Sequence, residues 1–129
     1  MLRSLPLRVP LHLTRTLGPI ARGSRDPSLL LKPKAAQWAF ATPEGDVALD
    51  VRVETREVQV EAFGPGAAWA LERIEDCRGL HDEAEAFRPE HPELRQLVRR
   101  MVGVRFPRIE RVSDLLWPAI LGQLVKGQE

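Results

Sequence analysis

Hydrophobic and polar positions alternate most cleanly between residues 36 and 62. Ala36, Trp38 and Phe40 alternate with Gln37 and Ala39, and TPEGD then supplies a turn in which Pro43 presets one dihedral and Gly45 is free to take a positive φ. Val47, Leu49, Val51 and Val53 alternate with Ala48, Asp50, Arg52 and Glu54; after a tight connection at 54–56, Val58, Val60 and Ala62 alternate with Glu57, Gln59 and Glu61. A period of two over three consecutive runs predicts an antiparallel meander with one apolar face and one largely polar face. The period then lengthens to about 3.6. Ala67, Ala70, Leu71 and Ile74 share a helical face, with Gly79 placed to end the helix. Pro92 stands at a first helical position, ahead of an apolar stripe of Leu94, Leu97, Val98 and Met101, and Gly103 is placed to close that helix. A last helix starts near Ser113 or Asp114; with Asp114 as its cap, Pro118 falls in the first turn, where its missing N–H costs nothing.

The N-terminal pattern is less regular. Leu5, Leu7, Val9, Leu11 and Leu13 alternate strictly, which predicts a strand, and Pro6 and Pro10 place it at a sheet edge. The first 25 residues are arginine-rich and lack acid, as a transit peptide would be, but three prolines oppose the amphipathic helix such a peptide needs. The strand is the stronger reading. Leu17, Ile20 and Ala21 allow one or two helical turns, kept short by Gly18 and Pro19, and a turn follows at 23–27. Strands first and helices after predict an α+β domain, an antiparallel β-sheet with helices on one face.

Composition narrows the class without naming a function. A chain of 129 residues, 43% hydrophobic, suits one domain with a real core. Nineteen basic and 18 acidic residues give a net charge of +1, which neither favours nor excludes a nucleic-acid partner. The single cysteine, Cys77, excludes an internal disulfide and fits a reducing compartment, so a cytoplasmic protein is expected. No apolar run reaches the ~18 residues of a membrane span, so no membrane partner is expected.

Candidate chemistry is thin. His12, His81 and His91 are scattered without partners at metal-ligand spacing; His81-Asp82 reads as a solvated loop and His91 as a helix start. Cys77 has Arg73 and Arg78 nearby in sequence, which could lower a thiol pKa, but no histidine or resolving cysteine assists, so it reads as structural. GPGAAW, at 64–69, lacks the Gly-Lys-Ser/Thr of a phosphate loop and reads as a strand-to-helix turn. The stretch 95–111 is basic, with Arg95, Arg99, Arg100, Arg105, Arg108 and Arg111 opposed only by Glu110; on charge alone it is an ordinary solvated face.

The closing run GVRFPRIERVSDLLWPAILGQLVKGQE resembles the start of the catalytic domain of the helix-hairpin-helix DNA glycosylases, and more narrowly the DNA-3-methyladenine glycosylase II family. Gly103, Val104, Arg105 and Pro107 match that family's G-L-R-x-P stretch, and Ala119, Ile120, Leu121, Gln123 and Val125 match its A-I-L-x-Q-x-V. Upstream, TLGPIARGSRDP, ATPEG and FGPGAAWALE are similar to segments of the family's bacterial branch, in the same order. The resemblance implies an N-terminal α+β domain, similar to one half of the TATA-binding protein, at 1–102, and the first helix of a truncated helical glycosylase domain at 103–129. It implies hydrolysis of the N-glycosidic bond of alkylated bases in double-stranded DNA, by a monomer, with no cofactor and no metal-activated water. The target base is flipped out and an apolar wedge fills the gap.

By the same resemblance Leu124 is the wedge, with Gln123 and Lys126 beside it at the DNA surface. Pro19 stands where the classical member has a pocket phenylalanine, which implies a differently shaped pocket. The competing reading of Leu124 is a core position, four residues from Ile120 and eight from Leu116. A helix ending at Gly122 would expose Leu124 as a wedge requires; a helix running on would bury it. The family's hairpin and catalytic aspartate lie downstream of the matched region, so this chain alone is expected to be inactive and to be the front of a longer enzyme. A tail with only two residues after Gly127 agrees with that expectation. The alternative is a stand-alone module that binds protein or nucleic acid.

Overall fold

The computed structural model describes residues 1–23, 25–74, 83, 86–108 and 112–124, with Leu124 described by its backbone only. Five antiparallel strands, β1 (Leu2–Pro6), β2 (Leu29–Lys32), β3 (Ala35–Thr42), β4 (Gly45–Val53) and β5 (Glu57–Phe63), form one sheet in the order β1-β5-β4-β3-β2. Four helices accompany it among the described residues: α1 (Leu13–Leu17, continued by a 3₁₀ turn at Gly18–Ile20), α2 (Ala67–Glu72), α3 (Pro92–Arg100) and α4 (Val112–Leu124). The protein is α+β.

The meander forms as the alternation predicts. Leu31, Ala36, Val51 and Val60 face one another across four strands, and Leu29, Trp38, Leu49 and Ala62 form the next row. These rows place every inward residue of β4 and β5 on one buried face. Leu13 and Leu17 of α1 and Ala67, Ala70 and Leu71 of α2 close over that face, with Ile74 just beyond α2. The β3–β4 turn is the expected one: Gly45 takes φ 119°, and Thr42 Oγ1 donates to the Gly45 carbonyl at 2.7 Å.

Four elements differ from the pattern. The N-terminal strand spans Leu2–Pro6 rather than 5–13, because its partner β5 gives out at the 54–56 connection; the Leu7 amide still reaches Arg56 O at 2.8 Å. Beyond Pro10 the same leucines stay buried, but Leu13 does so from a helix. Strand β2 was not expected, since Leu29-Leu30-Leu31 has no alternation and Pro33-Lys34 is a turn without glycine. Helix α2 gives way at Arg73, whose guanidinium lies 4.5 Å from the Trp69 ring centroid. The expected stop at Gly79, with Cys77, His81 and Asp82, lies outside the described residues.

The fourth difference is helix α4. It begins at Val112, so Asp114 is not its cap and Pro118 stands in its interior. It also runs through Gly122 to Leu124. A Cβ on Gly122 meets nothing within 4 Å. Gly122→Ala is therefore expected to raise the far-UV helical signal, because alanine is favoured over glycine by about 1 kcal/mol in an open helix interior. A fall in helicity would place a helix terminus at Gly122.

Candidate nucleic-acid interface

Helix α4 lies in the run 103–129 that resembles the start of a glycosylase domain, and α3 directly precedes that run. Helix α3 starts as predicted, with His91 as its cap and Pro92 in its first turn. Its apolar stripe does not pack: Leu94, Leu97 and Met101 are exposed and only Val98 is half-buried. Along α4, Val112, Leu115, Leu116, Trp117, Ile120 and Leu121 are also exposed, with Trp117 at 64%. Phe106, in the connection between the two helices, is 81% exposed. Soluble surfaces rarely leave so many large apolar side chains together in water without a partner for them.

The join to the sheet domain is polar and specific. Thr16, fully buried in α1, accepts the Arg105 amide at 3.1 Å, and the His12 amide donates to Gly103 O at 2.7 Å. Helix α3 ends at Arg100, ahead of Gly103; the space beside Gly103 is filled by the Pro10 carbonyl, so its smallness serves this close approach. The Arg15 guanidinium donates to Arg100 O at 2.7 Å, placing a cation on the negative end of the α3 dipole. Arg22 donates to Asp114 O at 3.0 Å. The sequence reading missed Arg15 and Arg22 as joining residues. One signal was present: a proline inside a helix leaves the carbonyl four residues earlier in need of a donor from elsewhere.

The basic stretch separates into different roles. Arg99, Arg100 and Arg108 are exposed, whereas Arg105 is only 8% exposed and its guanidinium donates to Val104 O at 3.2 Å. Arg95 turns back to the carbonyls of Pro89 and Glu90. Arg105 is thus not part of a solvated face, and Arg111 lies outside the described residues.

Of the residues singled out by resemblance, only Pro19 and Gln123 lie wholly among the described residues. Pro19 is exposed on the 3₁₀ turn, and Gln123 is exposed in the last turn of α4. Leu124 is the last helical residue described, and the environment of its side chain lies outside the description, as does Lys126. The helix end at Gly122 that would have presented Leu124 on a tip is not observed, because α4 continues past it.

The open face of the sheet has the opposite chemistry. It presents Asp46, Asp50, Glu57 and Glu61 against Lys32 and Arg52, around a shallow depression floored by Ala39 and Ala48 and bounded by Leu30 and Phe63. Hydrogen bonds from Gln59 and Ser4 hold Glu57 below the usual carboxylate range, so it is charged at neutral pH. An excess of acid repels DNA phosphates. A second carboxylate, Asp26, organises the turn before β2. Its partial burial opposes ionisation, but donors from Ser28 and the Arg22 amide, together with the Arg22 charge, outweigh burial and keep its pKa low.

Among the described residues no group of three His, Cys, Asp or Glu side chains is placed to hold a metal, and no helix is long and apolar enough to cross a membrane. Comparison of the chain with protein-family models, curated proteins and solved structures finds no match.

Proposed function

We propose that the chain is the N-terminal portion of an alkylbase DNA glycosylase of the helix-hairpin-helix superfamily. The observation that carries the reading is the contrast between a closed sheet core and two helices whose apolar residues stand in water. A helical domain packed on α3 and α4 would cover Leu97, Met101, Leu116, Trp117 and Ile120, and the resemblance supplies a domain of that kind. The likeness to one half of the TATA-binding protein belongs to the same proposal. It concerns topology only, since the acidic open face is unsuited to DNA.

In the intact enzyme, DNA would meet the end of α4. Gln123 and Lys126 would lie at the duplex surface, and Leu124 would fill the gap left by a flipped base. Base release would be hydrolytic and would need no cofactor. The groups for the chemistry itself, a general base and a DNA-gripping hairpin, would come from the remainder of the enzyme.

The alternative of a stand-alone binding module draws on the completeness of the sheet core, which runs from Leu5 to Ile74 without help from α3 or α4. An assay on methylated DNA separates the two readings. The cellular protein, captured with an antibody to this chain, is expected to release 3-methyladenine, and the purified 129-residue chain is expected to release none. Release by the purified chain, or none by the captured protein, contradicts the proposal.

A further inference from the structure

We infer that Arg22 is a positioning residue that sets the orientation of helix α4 on the sheet domain. Pro118 has no N–H, so the ordinary helical donor to the carbonyl of Asp114, four residues earlier, is missing. A proline ring within a helix also crowds the carbonyl four residues earlier. The Arg22 guanidinium donates to the Asp114 carbonyl at 3.0 Å. Arg22 is itself anchored: its amide donates to Asp26 Oδ2 at 2.7 Å, and Asp26 Oδ1 accepts from the Ser28 amide at 2.8 Å and from Ser28 Oγ at 2.6 Å. Ser28 leads directly into β2, and its carbonyl accepts the Ala39 amide of β3 at 2.8 Å. A continuous polar chain therefore runs from the sheet through Ser28, Asp26 and Arg22 to the first turn of α4.

The position of this contact gives it leverage. Arg15, His12 and Thr16 fix the Arg100–Arg105 segment, whereas Arg22 reaches past residues 109–111 and takes hold of α4 directly. It thereby fixes the direction in which Trp117, Ile120 and Gln123 are presented. The inference stands whatever that surface binds, so it does not rest on the glycosylase reading.

Distances between spin labels test it in the full chain with Cys77→Ser. One label pair at Arg52 and Ala119 reports the angle of α4, and a second at Gln37 and Gln59 reports the sheet alone. Arg22→Met is expected to abolish a single narrow distance peak for the first pair and leave the second unchanged. Arg22→Lys, which keeps a cationic donor, is expected to restore the peak in part. Arg25→Met, which removes a neighbouring exposed cation, is expected to leave it intact. An unaltered peak in Arg22→Met, an equal loss in Arg25→Met, or broadening of the sheet pair as well would overturn the inference.

Discussion

Gly64→Ala is expected to destabilise the domain by about 3 kcal/mol, the sum of a strained backbone and a steric clash. Gly64 leaves β5 with φ 103°, and a Cβ there would stand 2.5 Å from the Asp46 carbonyl oxygen of β4. That oxygen also accepts the Gly66 amide at 3.2 Å, while Gly66 itself lies against Gly45 O and Thr42 Oγ1. The glycines of GPGAAW thus let the chain turn tightly across the end of the β3–β4 hairpin and enter α2. Their role is packing, as the turn reading expected, and chemical denaturation of Gly64→Ala measures it. A loss below about 0.5 kcal/mol, the range of ordinary surface changes, would show that the turn has room to spare.

Leu13→Ala is expected to have a similar effect, about 3 kcal/mol, within the usual range for emptying a leucine site in a packed core. Leu13 is 0% exposed and packs from α1 beneath the sheet, beside Leu17. Thermal unfolding should register the change as a fall of roughly 10 °C in Tm. Leu30→Ala is the matched control. Leu30 lies on the open face, half exposed, and its truncation should leave Tm almost unmoved. Equal effects at the two positions would mean that α1 does not close the core.

The meander was legible because a strict period of two, interrupted by TPEGD and a short polar connection, admits few other structures. The inward positions of β3, β4 and β5 all fall on the face that the alternation assigns to them. The N-terminus was half legible. Burial of Leu5, Leu11 and Leu13 follows from the alternation, but a period of two cannot tell one strand from a strand, a bend and a helix that happen to bury the same residues. Strand β2 was hidden because a run of three leucines has no period at all.

The candidate site was the least legible part, for physical reasons. Arg15 and Arg22 act on backbone carbonyls 85 and 92 residues away, and such contacts leave no mark in local spacing. Pro118 was read as an innocuous first-turn residue because the start of α4 was placed too late. With the helix beginning at Val112, the same proline becomes the reason for an external donor. The stripe of α3 was recognised as apolar, yet periodicity says only that a face needs covering. Whether the chain itself supplies the cover depends on tertiary packing, and here Leu94, Leu97 and Met101 remain in water.

The claim that organises these observations is that α4, beside α3 of the N-terminal domain, begins a helical domain of a longer glycosylase. The intact mass of the protein captured from its own cells tests this most directly. The account predicts a product about twice the 14.5 kDa of this chain, in line with typical two-domain lengths. A product of 14.5 kDa would contradict it and leave the binding-module reading in its place.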